Sequence, residues 1–407
     1  MRIYKNATII TLDGGRVIPG GAMITDGNRI TAVLEGEELL RNPAAYDGDE
    51  VIDLRGKYVM PGLVNAHMHS TMWRSFGDIT VDHDVATETL MAARNAINCL
   101  RKGITTIREL GHDDHVHNPM KKARNRGVVL APRFFCADTI IEMSWGHANH
   151  FCHCVSSPYE LVAEIRRQVN AGTDFIKLIA SHDDLWHLTS EELTFPWFSQ
   201  EDLTLAVQTA HELGTKVAVH TNGKTAIGRC LNAGVDCVEH GIGITPEQIA
   251  QMKEQGTFFC PTLTGYKENG TPAWNRGDAW VARYHLMWER HKECFPKAAE
   301  AGVRLIAGTD TLGDLNEEIA LLHQFGLSNE EALLSATVRP AEFMGWTEKI
   351  GRIRPGMLAD FIVLNDNPLA DLSALYELEA TVLDGRYLPK AALDLLVPPC
   401  SQYAKDW

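Results

Sequence analysis

Through the middle of the chain a local pattern repeats: apolar residues at helical spacing, then a glycine, then a short run rich in β-branched residues. It recurs at Gly103 before ITTIREL, Gly127 before VVLAPRFF, Gly172 before TDFIKLIA, Gly214 before TKVAVH, Gly234 before VDCVEH, Gly256 before TFFCPTL and Gly302 before VRLIAGTD. Glycine suits these places because a helix commonly closes on a left-handed residue, a conformation that a Cβ disfavours. Helix starts are marked too. Ser157-Pro158-Tyr159-Glu160 and Thr245-Pro246-Glu247-Gln248 both fit the capping box with proline at the first helical position. Between Ser199 and Gly214, residues Leu203, Ala206, Val207, Ala210 and Leu213 fall on one stripe, which predicts a helix with one buried face.

Adding VMPGLVNAH, which precedes the first helical stretch, makes eight strand candidates, each followed by a helix-like segment. Near-continuous apolar strands of this kind belong to a buried parallel sheet. The pattern predicts an α/β fold, a (β/α)8 TIM-type barrel over residues 60–349. Residues 1–59 hold short strand-like runs punctuated by the turn signals Asp13-Gly14-Gly15 and Asp26-Gly27-Asn28. Residues 350–407 are β-rich again at Ala359–Leu364 and Ala380–Gly385. The two terminal segments are expected to form a small discontinuous β-sandwich, completed by a C-terminal tail.

Composition narrows the function by exclusion. With 53 acidic against 38 basic residues the formal charge is −15, which argues against nucleic acid or an anionic membrane as a partner, since phosphate binding needs a basic patch. No run reaches the roughly 18 to 20 apolar residues of a spanning helix, and Met1-Arg2-Ile3-Tyr4-Lys5-Asn6 opens no signal-peptide core. A soluble, cytoplasmic protein is expected. The nine cysteines are odd in number and lack CxxC pairs, so they read as reduced and mostly buried, Cys152-His153-Cys154 included.

In barrels of this kind, chemistry collects at the C-terminal ends of the strands. The first candidate strand ends in His67-Met68-His69, whose i and i+2 imidazoles point the same way and can face one metal ion. The fourth carries Lys177, the fifth ends at His220, the sixth at His240 and the eighth at Asp310. Any one of these is more simply a structural residue or a cap. Independent structural residues, however, have no reason to recur at the same end of five strands, and their convergence predicts a metal site.

These landmarks resemble the amidohydrolase superfamily: Met60-Pro61-Gly62-Leu63-Val64-Asn65-Ala66-His67-Met68-His69, Lys177, Val219-His220, Glu239-His240-Gly241, Gly308-Thr309-Asp310, and the tail Ile353–Leu364. The resemblance is to the binuclear branch, which includes prolidase-like dipeptidases with a carbamylated lysine and imidazolonepropionase-related hydrolases. It implies two divalent metals, usually zinc, with His67, His69 and Asp310 on the more buried ion and His220 and His240 on the outer one. An ammonium cannot ligate a cation, so Lys177 is expected as a carbamate that bridges the two. A hydroxide shared by the metals would attack a carbonyl, with Asp310 moving its proton to the leaving nitrogen.

The loops after the strands should choose the substrate. The resemblance gives His147, in Gly146-His147, a role in holding the substrate carbonyl, while the glycines usual after the fourth strand are replaced by His182-Asp183. Trp145, Trp186 and Tyr266 would edge an apolar pocket, with Trp274 and Arg276 nearby. No basic cluster lines these loops, so a small amide is expected: a dipeptide, an N-acyl amino acid or a related carbamoyl compound. The alternative is a mononuclear deaminase of a heterocycle, disfavoured because His220 is followed by Thr221-Asn222-Gly223-Lys224 without a carboxylate. Family members commonly assemble as homo-oligomers, which is expected here as well. Eight further histidines, at 112, 115, 117, 147, 150, 153, 182 and 187, fall in loops after the second to fourth strands, so 12 of 17 are expected toward one face.

Overall fold

The computed structural model describes residues 1–41, 50–71, 73–75, 78–80, 84–112, 115–148, 151–183, 194–270, 277–310 and 313–397. Parallel strands run through its centre. One ladder orders Arg133–Cys136, Ile104–Glu109 and Leu63–Met68; another orders His153–Val155, Ile140–Met143, Phe175–Ile179, Lys216–Thr221, Cys237–His240, Phe258–Cys260 and Arg304–Leu305. The strands Leu63–Met68, Ile104–Glu109 and Phe175–Ile179 are buried at every position, as expected of a parallel sheet covered on both faces. Beyond Arg304–Leu305 one more bond reaches its partner strand, from Ile306 N–H to Phe259 (2.9 Å), and the chain then leaves the ladder as Ala307 N–H donates to Ser335 (2.9 Å). The Ala307 carbonyl in turn accepts from Ala66 (2.8 Å).

Helices follow the strands as the pattern predicts. Helix Pro158–Ala171 starts on Ser157, whose hydroxyl accepts from Glu160 N–H, and helix Pro246–Gln255 carries the full Thr245–Gln248 capping box. All seven glycines of the repeated pattern take positive φ, between 70° and 91°. Helix Gln200–Glu212 buries Leu203, Ala206, Val207 and Ala210, but Leu213 is its terminal cap and 42% exposed, because the buried stripe ends where the chain turns away. The third strand is shorter than VVLAPRFF suggested. It begins at Arg133, directly after Pro132, which has no N–H to donate to a ladder. The strand Ile140–Met143, which no helix and glycine precede, pairs with the Lys177 strand through Ile140 opposite Lys177.

Strands from both ends of the chain share one eight-stranded sheet. Phe361–Leu364 runs antiparallel to Tyr58–Pro61, which lies beside Arg2–Ile10. Tyr4, Ile9, Val59, Phe361, Val363 and Val382 form its apolar core. A charge network ties this sheet to the parallel strands. Arg133, at the start of its strand, reaches both carboxylate oxygens of Asp360 (3.1 Å for the Nη2 contact) and also Asp384, which Arg124 meets from the other side. Among the described residues, no helix is long and apolar enough to cross a membrane.

The Asp360 side chain is 1% exposed and that of Arg133 13%, so removing one partner leaves a charge short of solvent. Asp360→Ala is expected to lower stability by about 3 kcal/mol. Urea unfolding checks this, and an unchanged midpoint would remove the network from any role in stability.

Candidate active site

The site is assembled from strand ends. Asn65 clamps the first of them: its Oδ1 accepts from His67 N–H (3.2 Å) and Thr309 N–H (3.3 Å), and its Nδ2 donates to Thr309 Oγ1 (2.8 Å). The His67 carbonyl accepts from both Thr309 N–H (3.0 Å) and Asp310 N–H (2.9 Å). Gly308 is required by this approach, since a Cβ there would lie 2.5 Å from His67 Cβ and 2.7 Å from Cys260 Sγ. Asp310, at φ 65°, turns its carboxylate so that Oδ1 stands 3.4 Å from His67 Nε2 and 3.6 Å from His69 Nε2.

Hydrogen bonds on the far side of each ring decide which nitrogen faces inward. His67 Nδ1 lies 2.7 Å from Glu239 Oε2, and an ionised carboxylate only accepts, so Nδ1 carries the proton. His69 Nδ1 meets the Gly111 carbonyl at 3.0 Å and is protonated for the same reason. His240 Nδ1 sits 2.6 Å from Thr262 Oγ1, whose hydroxyl donates to the Pro261 carbonyl (2.8 Å) and therefore accepts from the ring. Each imidazole is left with an Nε2 lone pair. Burial favours the neutral ring, pushing His69 down to about 3 and His220 and His240 below the ordinary value.

Glu239 is held by Arg108, whose Nη2 is 2.6 Å from Oε1; both side chains are fully buried. Burial would raise the Glu239 carboxyl, but Arg108 and His67 hold it well below the usual carboxylate range. Glu239 and His240 are neighbours on a strand and would ordinarily face opposite ways. His240 instead has φ 69°, which breaks the alternation. Its ring comes within 5.0 Å of His67 and 4.5 Å of His220, centroid to centroid. Lys177 is 2% exposed, and its strand places it opposite Ala218, two residues before His220. Burial lowers its ammonium pKa against the opposing pull of Glu239 and Asp310.

The structure thus brings His67, His69, Lys177, His220, His240 and Asp310 together, and adds residues that motif reading left without a role: Asn65, Arg108, Glu239, Thr262 and Asp183. His147 joins the cluster, its ring stacked 4.9 Å from His220. Gly146 precedes it because a Cβ there would lie 2.2 Å from Glu142 Oε1, the carboxylate that accepts the His147 and Ala148 N–H groups. Tyr266 is buried beside His240, and its hydroxyl accepts from Asn222 Nδ2 (2.9 Å). Trp145 is 82% exposed and is not packed into the cluster. Trp186, Trp274, Arg276, His150 and His187 lie outside the described residues.

Three of the eight further histidines pair with carboxylates. His115, His117 and His153 face Asp138 (3.1 Å), Glu109 (3.1 Å) and Glu164 (3.6 Å), and His117 opens a helix rather than a loop. His112 is buried against Phe151 and Glu88. Cys152 is buried and Cys154 exposed, so the two thiols do not share an environment.

The inner residues suit a divalent cation. The ligand atoms of His67, His69 and Asp310 lie within 4.8 Å of one another, and His67 Nε2, although buried, has no hydrogen-bond partner among the described residues. Metal–nitrogen and metal–oxygen bonds of about 2.0–2.2 Å imply ligand separations close to those seen, and outer hydrogen bonds that orient each ring are the usual accompaniment of metal-bound histidine. Because Gly308 lets Asp310 approach His67, Gly308→Ala should reduce affinity for a divalent cation, titrated as zinc, by tenfold or more while the protein stays folded. Competition with a chromophoric chelator measures this, and wild-type affinity in the variant would show that the close approach is not needed.

The chain is 28% identical over 349 residues to an uncharacterised protein of Mycobacterium tuberculosis, covering 83% of this chain and 86% of that one. It is 25% identical over 420 residues to an ochratoxinase of Aspergillus niger, covering 88% and 85%. The crystal structure of a Xaa-Pro dipeptidase with methionine bound in its active site superimposes with a TM-score of 0.84 at 26% identity, covering 95% of this chain and 99% of the other. The amidohydrolase family matches residues 58–388, which include every strand-end residue above, and the chain belongs to that family of C–N bond hydrolases.

Proposed function

We propose that this protein is a metal-dependent hydrolase that cleaves an amide-type C–N bond of a small molecule: a dipeptide, an N-acyl amino acid or a related carbamoyl compound. The observation that carries the reading is the pair of imidazoles, His67 and His69, whose outer hydrogen bonds leave their Nε2 atoms available beside the Asp310 carboxylate. Similarity to an ochratoxinase and a Xaa-Pro dipeptidase supports it. The proposed ligands are His67, His69 and Asp310 for one divalent ion, zinc in our reading, and His220 and His240 for a second. Lys177 joins them as a carbamate: its neutral amine forms an N–C bond to carbon dioxide and loses a proton, giving an anion where an ammonium would be repelled.

When bound, the cations would polarise the scissile carbonyl and make water a nucleophile near neutral pH. The chain's own residues do the rest. Asp310 takes the proton of the attacking water and passes it to the leaving nitrogen, the two-way role that a fixed carboxylate can fill. Glu239, charged by its bond to Arg108, keeps His67 in the required tautomer. His147 holds the substrate carbonyl, and the buried Tyr266 borders the substrate. In the same reading the parallel strands close into a (β/α)8 barrel over residues 60–349. Residues 1–59 and 350–407 build the β-sandwich, and the protein forms a homo-oligomer. The bonds from Ala66 to Ala307 and from Asp174 to Cys136, at the two seams between ladders, support closure.

Hydrolysis of dipeptide and N-acyl amino acid libraries by the zinc-loaded protein is the direct test. Amine and carboxylate products are expected; release of ammonia from heterocycles alone would make the enzyme a deaminase. Asp310→Asn should lower kcat by about 10²- to 10⁴-fold with KM nearly unchanged. Intact-mass analysis of native protein should show carbon dioxide added at Lys177, absent in Lys177→Ala, and full activity of that variant would refute the bridging role.

A further inference from the structure

A second meeting of imidazole and carboxylate lies beside the first. Asp183, in the loop after the Lys177 strand, is fully buried, and its Oδ2 stands 3.0 Å from His220 Nε2. That nitrogen is buried and, among the described residues, makes no hydrogen bond of acceptable geometry, the same condition as His67 Nε2 opposite Asp310. The carboxylate is built in rather than adventitious. Ser181 Oγ donates to Oδ1 (3.1 Å), Asn222 Nδ2 donates to Oδ2 (2.7 Å), and the Tyr266 hydroxyl lies 3.5 Å from Oδ2. Asn222 is itself fixed, its Oδ1 accepting from Ile242 N–H (2.8 Å) and its own N–H donating to Ser181 Oγ (3.0 Å). The ligand atoms of His147, Asp183 and His220 all lie within 4.8 Å of one another.

We propose that Asp183 is a ligand of the outer cation, bound through Oδ2 beside His220 Nε2, so that each of the two cations has an aspartate of its own. This rests on the two-cation reading above. A separation of 3.0 Å is what two ligands adjacent on one ion would show, given bonds of about 2.0–2.2 Å. A buried carboxylate is costly without a cation, and among the described residues the three hydrogen bonds to the Asp183 carboxylate come from neutral groups, while the Arg283 guanidinium meets its backbone carbonyl (3.4 Å). A cation between Asp183 and His220 supplies the missing charge. His147, within reach of both, then lies where a carbonyl that it holds also meets the outer cation. The replacement of glycine by His182-Asp183 after this strand becomes a change of metal ligand.

Zinc titration against a chromophoric chelator tests this. Wild type should bind two equivalents, and Asp183→Asn should keep the tighter one and lose at least tenfold affinity for the second. Two equivalents of wild-type affinity in Asp183→Asn would overturn the proposal. If that variant does not fold, as judged by circular dichroism, anomalous diffraction from zinc-loaded wild type decides. An ion bonded to both Asp183 Oδ2 and His220 Nε2 is expected. An ion on His220 alone, with Asp183 bonded only to Asn222 and Ser181, would refute it. Wild type that binds no zinc would instead bring down the two-cation reading itself.

Discussion

The site depends on a buried ion pair, Arg108 with Glu239. Taking both charges out of water costs several kcal/mol per ion, and the pair tolerates it because each member has a further partner. The guanidinium lies over the Phe343 ring at 4.6 Å and near Phe175 at 5.6 Å, and its Nε donates to the Ala66 carbonyl. The carboxylate uses its second oxygen for His67 Nδ1. One interaction therefore fixes the charge of Glu239, the tautomer of His67 and the position of the strand that carries it. The chain between His67 and Asp310 hangs from the same point, since the His67 carbonyl holds the Thr309 and Asp310 amides.

Around that anchor the backbone is strained where chemistry needs it. His240 and Asp310 both take positive φ, which costs non-glycine residues of order 1–3 kcal/mol each and persists only where surrounding bonds enforce it. At His240 the enforcing bond is Nδ1 to Thr262, itself at φ 50°; at Asp310 it is the pair of amides on the His67 carbonyl. Both departures have the same effect. Regular strands would send alternate side chains away from the centre, and the left-handed residue returns one more side chain to it.

A carboxylate recurs at each set of inward nitrogens, Asp310 at His67 and His69, and Asp183 at His220. In both places a small residue makes room: Gly308 behind His67, and Gly146 above Glu142, which sets the turn bearing His147. Packing of glycine against carboxylate or imidazole carries the positions of the reactive groups, and a single methyl group at either site would displace them.

How much of this could be read from the chain alone follows from how each residue is specified. His67, His69, His220, His240 and Asp310 were legible because period-2 and period-3.6 patterns mark where strands stop, and in a parallel α/β fold those ends share a face; Lys177, in the middle of Phe175–Ile179, was legible as a charge within an apolar run. Helix caps at Ser157, Thr245 and the seven glycines were legible for a similar reason, being decided within four or five residues. Leu213 and the start of the third strand were misjudged because exposure at a helix end and loss of a donor at Pro132 override the pattern locally. Asn65, Arg108 and Thr262 carried no signal of their kind, and Asp183 was marked only as a replacement of glycine. Their roles come from partners as far as 244 residues away, as in Asn65 with Thr309. The sequence determined which strand ends carry candidate ligands. Only the tertiary structure decided which nitrogen of each ring faces inward and which carboxylates meet them, because tautomer and approach are set by hydrogen bonds and contacts that exist only once distant segments have packed.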